Sequence, residues 1–539
     1  PAAAGAVAEG PRPRVVVVGA GWGGWGAAKA LSENGCAVTL LDGVPDPTGA
    51  TPFLTPTGKP FEVGTRGFWK DYPNIEAVLA EIGVDEREVF SPCTESAFYG
   101  PQGLEATAPV FSSSEFPELP SPLGQVVASF SRFKRLPVAD RLTMAGLLYA
   151  MLDFTRDEKT FEAYDRMSAH ELFVRMNVSE RLVSDFIRPT LLVGLFKPPE
   201  ELSAAVAMEL LYYYALAHQN SFDVRWMRKG TIQESLICPL ATRLQAAGVD
   251  VRGGCFAKEL ILDGGRVTGV RFTEKGEEGE LEDVDAVVLA LGAKGMAGLV
   301  RGSPRLARRC PELAKAAALG GIDVVATRIW LDRYVATETP ANVLSRFERL
   351  RGAGGTFFML DQLQDDQKAL WGGEEPRGSV LACDFYNAGA IAPMSNEDIV
   401  ELLMKDLLPQ AVPEFAHAQV LDSHVVRGMG AVTWFSPGSY RSRPPLETSL
   451  DNVVCAGDWV RMGDREHGAK GLCQERAFVS GLEAANALAR RGTLGGDRRR
   501  EHPVVAIRED EPQVVAGRAA NAAAMRALAP LGLASPWVR

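Results

Sequence analysis

Five residues near the start of the chain have the types and spacing of a nucleotide cradle. Gly19, Ala20, Gly21 and Gly24 follow the run RVVVV (14–18), and Asp42 closes the run AVTLL (37–41). Gly19 lets the chain turn sharply, Gly21 removes a side chain where a diphosphate has to touch backbone, and Gly24 lets a following helix lie against the strand. The diphosphate would rest on the amino end of that helix, where unpaired N–H groups and the helix dipole favour an anion. Asp42, about 20 residues further on, is placed to accept hydrogen bonds from an adenosine ribose. An acid at that position repels a 2′-phosphate, so the pattern favours FAD or NAD over NADP.

The elements that must hold these residues can be read around them. Val15 to Val18 is a β-branched run too short for a helix and apolar on both faces, which suits a buried parallel strand. The Gly, Pro and Thr-rich stretch PDPTGATPFLTPTGKPFEVGTRGF reads as a long functional loop. In YPNIEAVLAEIGV, Ile75, Val78, Leu79 and Ile82 share one helical face, with Asn74 as the expected amino cap and Gly83 as the stop. Between 121 and 225 long helical patterns dominate, whose apolar side chains fill a core or line a greasy cavity. From Gly230 the pattern returns to α/β, with a hairpin turning at Asp263-Gly264-Gly265 and a buried strand in DAVVLALGAKG. Strands (VVATRIWLD, GTFFMLD, GSVLACDFY) and the helix NEDIVELLMKDLLPQ follow, then a last strand and acid in SLDNVVCAGDWV and a last helix in GLCQERAFVSGLEAANALARR. The fold class is therefore α/β, or α+β overall: a discontinuous Rossmann-like nucleotide-binding domain (11–120, 226–301, 446–495) with a mixed sheet-and-helix second domain. The latter comprises a helical insertion (121–225) and a sheet (302–445), and residues 496–539 form a C-terminal extension.

Composition narrows the function classes. With 539 residues, 46% of them hydrophobic, the chain buries large cores in two or more domains. A net charge of −11 and a pI near 5.3 argue against a nucleic-acid surface. The eight cysteines show no CxxC and the six histidines no HExxH, so no metal, zinc ribbon or disulfide framework is expected. No apolar run approaches the roughly 18 residues that span a bilayer. The opening PAAAGAVAEGPR is small and flexible, and reads either as the remnant of a cleaved targeting peptide or as an irregular terminus.

Three blocks carry a family likeness: VVVVGAGWGGWGAAKAL with Asp42, FEVGTRGFWKDYPNIEAVLAEIGV, and AGDWV with GLCQERAFVSGLEAANAL. Together they resemble the FAD-dependent amine-oxidase superfamily, and within it the phytoene and zeta-carotene desaturase branch. The resemblance implies a FAD-binding domain and a substrate domain with the flavin between them. It implies that Gly19, Ala20, Gly21 and Gly24 hold the diphosphate and Asp42 the ribose, and that Gly64, Thr65 and Arg66 approach the isoalloxazine. It places Gly457 and Asp458 by the diphosphate and ribityl chain, and Gln474 and Glu475 at the start of the last helix, whose amino end stabilises charge on the flavin. No catalytic side chain is implied. One departure is that the family's basic residue after the ribose acid is absent here, where PTGATPF retains only Gly49.

What the resemblance implies for function is oxidation or reduction of a large apolar isoprenoid, a carotene-type polyene, by hydride transfer to flavin N5, with desaturation, isomerisation and reduction all open. The expected partners are that apolar substrate, an electron acceptor such as a quinone, and a membrane surface met through Ser131–Leu136 (SRFKRL), which reads equally as a solvated basic turn. The expected place is a chloroplast or plastid, soluble or peripheral to a membrane, with a bacterial cytoplasm as the alternative. Two rival readings are an amine or polyamine oxidase, and a non-catalytic assembly protein that retains the flavin fold.

Overall fold

The computed structural model describes residues 12–469, 473–495, 500–531 and 535. The expected targeting remnant lies outside them except for Arg12. Strand β1 (Arg14–Val18), helix α1 (Trp22–Glu33) and strand β2 (Ala37–Leu41) form the β-α-β unit. β1 is central in a five-stranded parallel sheet, in the order 453–455, 286–289, β1, β2, 250–252. Val16 faces Val287 on one side and Thr39 on the other, and Val15–Val18 are all buried, as a doubly covered strand requires. The hairpin expected at Gly264-Gly265 is present between Cys255–Asp263 and Arg266–Glu274.

A seven-stranded sheet carries the second half of the molecule, in the order 420–433, 321–331, 380–386, 354–359, 341–344, 96–100, 103–108. Its last two strands correct the expected boundary at 120: Ser96–Gly100 pairs parallel with Ala341–Leu344, so residues 96–108 belong with the second sheet and not with the nucleotide-binding one. The pairing spans some 240 residues and leaves no trace in local composition. Of the helices between Leu123 and Ala215, Arg188–Leu195 packs on strands 341–344 and 354–359 of this sheet, and Ala204–Ala215 is buried throughout. Among the described residues no helix is long and apolar enough to cross a membrane.

The C-terminal extension is integrated into the fold. Asn74 exchanges hydrogen bonds with Val505, Arg508 pairs with Asp71 at 2.7 Å, and the Ser121 N–H donates to Glu511. The helix Pro512–Leu528 then packs on Met144–Asp153, where Tyr149 donates to Asn521 and Asn521 donates to Asp153. Asn74 itself corrects a second expectation. It is the second residue of helix Pro73–Glu81, its side chain bonds outward to the extension and to Glu475, and the flanking position is taken by Tyr72.

Among the described residues the most extensive helix contact joins α1 to the closing helix, Gln474–Arg490. It is made through glycine: a Cβ at Gly26 would strike the Phe478 carbonyl, and one at Gly481 would overlap the Gly23 carbonyl and crowd the Ala27 N–H. Gly481→Ala therefore forces the helices apart. Overpacking of this kind costs about 1–3 kcal/mol, and urea unfolding should show that loss together with reduced FAD content, because the glycine loop moves with α1.

Candidate functional site

The glycine loop divides its labour. Gly19 adopts φ +106° and sits against the Ala290 carbonyl, while a Cβ at Gly24 would overlap the Gly19 carbonyl; both are packing positions that let β1 turn directly into α1. Gly21 differs, since a Cβ there would meet nothing within 4 Å: its backbone opens onto a cavity of about 600 Å³. Trp22, Gly23, Ala290–Gly292 and Gly457–Trp459 line the same end. Asp42 holds the loop from behind, its Oδ2 accepting the Ala20 N–H and its Oδ1 the Val44 N–H, each at 2.7 Å.

Gly64, Thr65 and Arg66 line the cavity further along. Asp384 accepts the Thr65 N–H at 3.0 Å and fixes this loop to the seven-stranded sheet. Gln474 joins the separated blocks: its amide oxygen accepts the Trp22 indole N–H at 3.0 Å and its amide nitrogen donates to the Gly67 carbonyl at 3.1 Å. Beyond these groups the walls turn apolar, with Phe98, Phe196, Leu210, Phe222, Trp226 and Phe358.

The turn carrying Gly457 and Asp458 is held by two buried guanidiniums that sequence reasoning missed. Arg476 donates to the Asp458 and Val460 carbonyls at 2.8 and 2.7 Å, and Arg443 donates to the Trp459 carbonyl at 2.7 Å. Burial pushes Arg476 down to about 10 and raises the Asp458 carboxyl, the latter against the pull of both arginines. The Gly457 N–H donates to Ser480 of the closing helix at 2.7 Å. Arg476 stands two residues from Gln474 in sequence, but only the fold reveals that it turns back on the turn.

Glu475 departs from its expected place at the flavin. It is fully buried away from the cavity, and its carboxylate accepts the Asn74 and Ile75 N–H groups at 2.9 and 3.0 Å and the Asn74 side-chain amide at 2.7 Å. It thus caps helix Pro73–Glu81, where a negative charge meets the helix dipole. Burial pushes its carboxyl up to about 7, opposed by those donors. The absent basic residue also finds a setting: Gly49, at φ +74°, packs on the Gln233 carbonyl outside the cavity lining, and among the described lining residues the arginine is Arg66.

A glycine-lined end at a helix amino terminus, open where Gly21 lacks a side chain, fits a dinucleotide whose diphosphate must touch backbone. Gly21→Val fills that space, so purified protein should lose its visible flavin bands while far-UV circular dichroism is retained; full flavin content would remove the loop from the site. Glu475→Ala should do the reverse. It leaves three buried donors without their acceptor, which lowers stability by about 1–3 kcal/mol in urea unfolding with flavin content unchanged.

Comparison with known proteins agrees with this geometry. The family model for flavin containing amine oxidoreductases matches residues 24–489. The chain is 24% identical over 465 residues to 15-cis-phytoene desaturase, chloroplastic/chromoplastic, of Arabidopsis thaliana, covering 84% of this chain and 77% of that one. It is 27% identical over 516 residues to the carotenoid phi-ring synthase of Streptomyces griseus, covering 90% of each. Among solved structures, cyclohexylamine oxidase from Brevibacterium oxydans superposes with a TM-score of 0.60 at 15% identity, over 89% of this chain and all of that one, which establishes the shared fold. With the family model matching most of its length and the glycine-lined cavity in place, the chain belongs to the flavin containing amine oxidoreductases, and its cofactor is FAD.

Proposed function

We propose that the protein is an FAD-dependent oxidoreductase of a large apolar isoprenoid, a carotene-type polyene, working on a membrane surface in a plastid or a bacterial cell with a quinone-like electron acceptor. The observation that carries this reading is the cavity: one end is glycine and backbone, and the other is walled by aromatic and aliphatic side chains. FAD supplies the two-electron chemistry when bound. The chain's own part is to orient the isoalloxazine with the 64–67 loop and Gln474, and to hold an apolar chain against it with water excluded.

The surface beside the apolar end supports membrane delivery. Leu123, Val126, Val127, Phe130, Val138 and Leu142 are exposed, Phe130 by 52% and Leu142 by 69%, and Lys134 and Arg135 stand exposed between them. Exposed apolar side chains with a basic flank suit a headgroup boundary. From it an aromatic path leads inward: Phe133 packs on Phe186, and Phe186 on Phe98 and Tyr214 of the cavity wall.

The test incubates FAD-loaded protein with liposomes containing carotenes and a quinone, following polyene absorbance and flavin reduction together. The reading expects both to change. Rapid turnover of a soluble amine with neither change would favour the oxidase alternative instead. In parallel, the triple change Leu123→Ser, Phe130→Ser, Leu142→Ser should weaken cosedimentation with anionic liposomes at least tenfold while flavin content stays at the wild-type level.

A further inference from the structure

Among the described residues lining the cavity, two carry carboxylates, Asp458 and Asp384. Asp458 stands at the glycine-lined end. Asp384 stands on the floor, in the middle of the seven-stranded sheet. The strand register sets it between Ala326 and Thr356, with Val343 beside Thr356 and Phe98 beyond. All five side chains belong to the cavity lining. Four of them are apolar or carry one hydroxyl, as a wall against a hydrocarbon should. The fifth is an acid, 4% exposed, in a strand whose seven residues are all buried, where a carboxylate opposes folding unless its surroundings compensate it.

The geometry points to Asp384 as the catalytic base: the group that takes the proton from the polyene carbon adjacent to the one that loses hydride. This rests on the polyene reading above. In desaturation two C–H bonds on neighbouring carbons break. One hydrogen leaves with its bonding pair, as hydride, to the oxidant, a flavin. The other leaves as a proton to the Asp384 carboxylate, and its bonding pair becomes the π bond of the new C=C. The substrate loses two electrons and two hydrogens, and the carboxylate passes its proton on when the site next opens to water.

The surroundings suit a base. Burial pushes the Asp384 carboxyl up to about 6, and the Thr65 N–H, Arg328 and Arg66 restrain it from rising further. Glu62, itself raised by burial, is set against the same Arg66 and Arg328; on the strand of Asp384, Cys383 points to the opposite face of the sheet, and Tyr386 shares the Asp384 face, its hydroxyl 3.0 Å from that of Thr356. A base with an affinity for protons near the working pH is the efficient kind. The ionised form is the active one, so flavin reduction should rise as pH passes upward through about 6 and then level off.

The experiment compares FAD-loaded wild type with Asp384→Asn, full length, in carotene-bearing liposomes without oxygen. Asn keeps the shape and an oxygen for the Thr65 N–H but cannot take a proton. Flavin reduction should fall about 10²- to 10⁴-fold at pH 8 and lose its rise through pH 6, while FAD affinity and the polyene-induced shift of the flavin spectrum stay within a factor of about three. Independently of turnover, infrared difference spectra between pH 5 and pH 8 should contain a protonated-carboxyl C=O band in wild type that Asp384→Asn lacks. An Asn variant with the wild-type rate and pH profile overturns the proposal and leaves Asp384 as an anchor for the 64–67 loop. A wild type that reduces no flavin with any polyene overturns the polyene reading first, and the base with it.

Discussion

The backbone contact between α1 and the closing helix is the constraint from which the site follows. Gly23, Gly26 and Gly481 let two helices more than 400 residues apart in sequence bring their backbones together where they cross. That approach sets the glycine loop, the 457–459 turn and Gln474 around one end of one cavity. Each then holds the next by hydrogen bonds to backbone: Ser480 to Gly457, Arg476 to Asp458, Gln474 to Gly67. The site is preorganised by packing, so a small side chain at the crossing would disturb residues that never touch the cofactor.

Buried charge is distributed to serve this frame. Arg443 and Arg476 are spent on three successive carbonyls of one turn, and Glu475 on the amino end of a neighbouring helix. Both uses satisfy groups that would otherwise lie buried without a partner. Around the 64–67 loop, Arg66 and Arg328 stand against the carboxyl groups of Glu62 and Asp384, which burial pushes toward the protonated form. The C-terminal extension closes the same region from outside, linking Asn74 and Asp71 to the helical insertion through Val505, Arg508 and Glu511.

The β-α-β unit, the later hairpin and the last strand and helix were legible in the sequence because their signals are local: β-branched runs, glycines at fixed spacing and a helical period. The five-stranded sheet brings those pieces side by side as the separated signals suggested. What was not legible depends on partners distant in sequence. Ser96–Gly100 looks like any strand until Ala341–Leu344 pairs with it, and Asn74 has the type of a cap but spends its side chain on Glu475 and Val505. Glu475 sits beside Gln474 in sequence, yet a helix turns neighbouring residues about 100° apart, so one faces the cavity and the other a second helix. Asp384 was hidden in VLACDFY, because no local rule says which face of a fully buried strand will border a cavity.

The most direct measurement is a structure of the FAD-loaded protein with a polyene bound. The account predicts the flavin at the end lined by Gly21, Gly64–Arg66 and Gly457, and the polyene lying across the row Ala326, Asp384, Thr356, Val343, with its far end toward Phe98 and Tyr214. A flavin seated elsewhere, or a floor row that closes around a polar ligand and excludes the polyene, would contradict it.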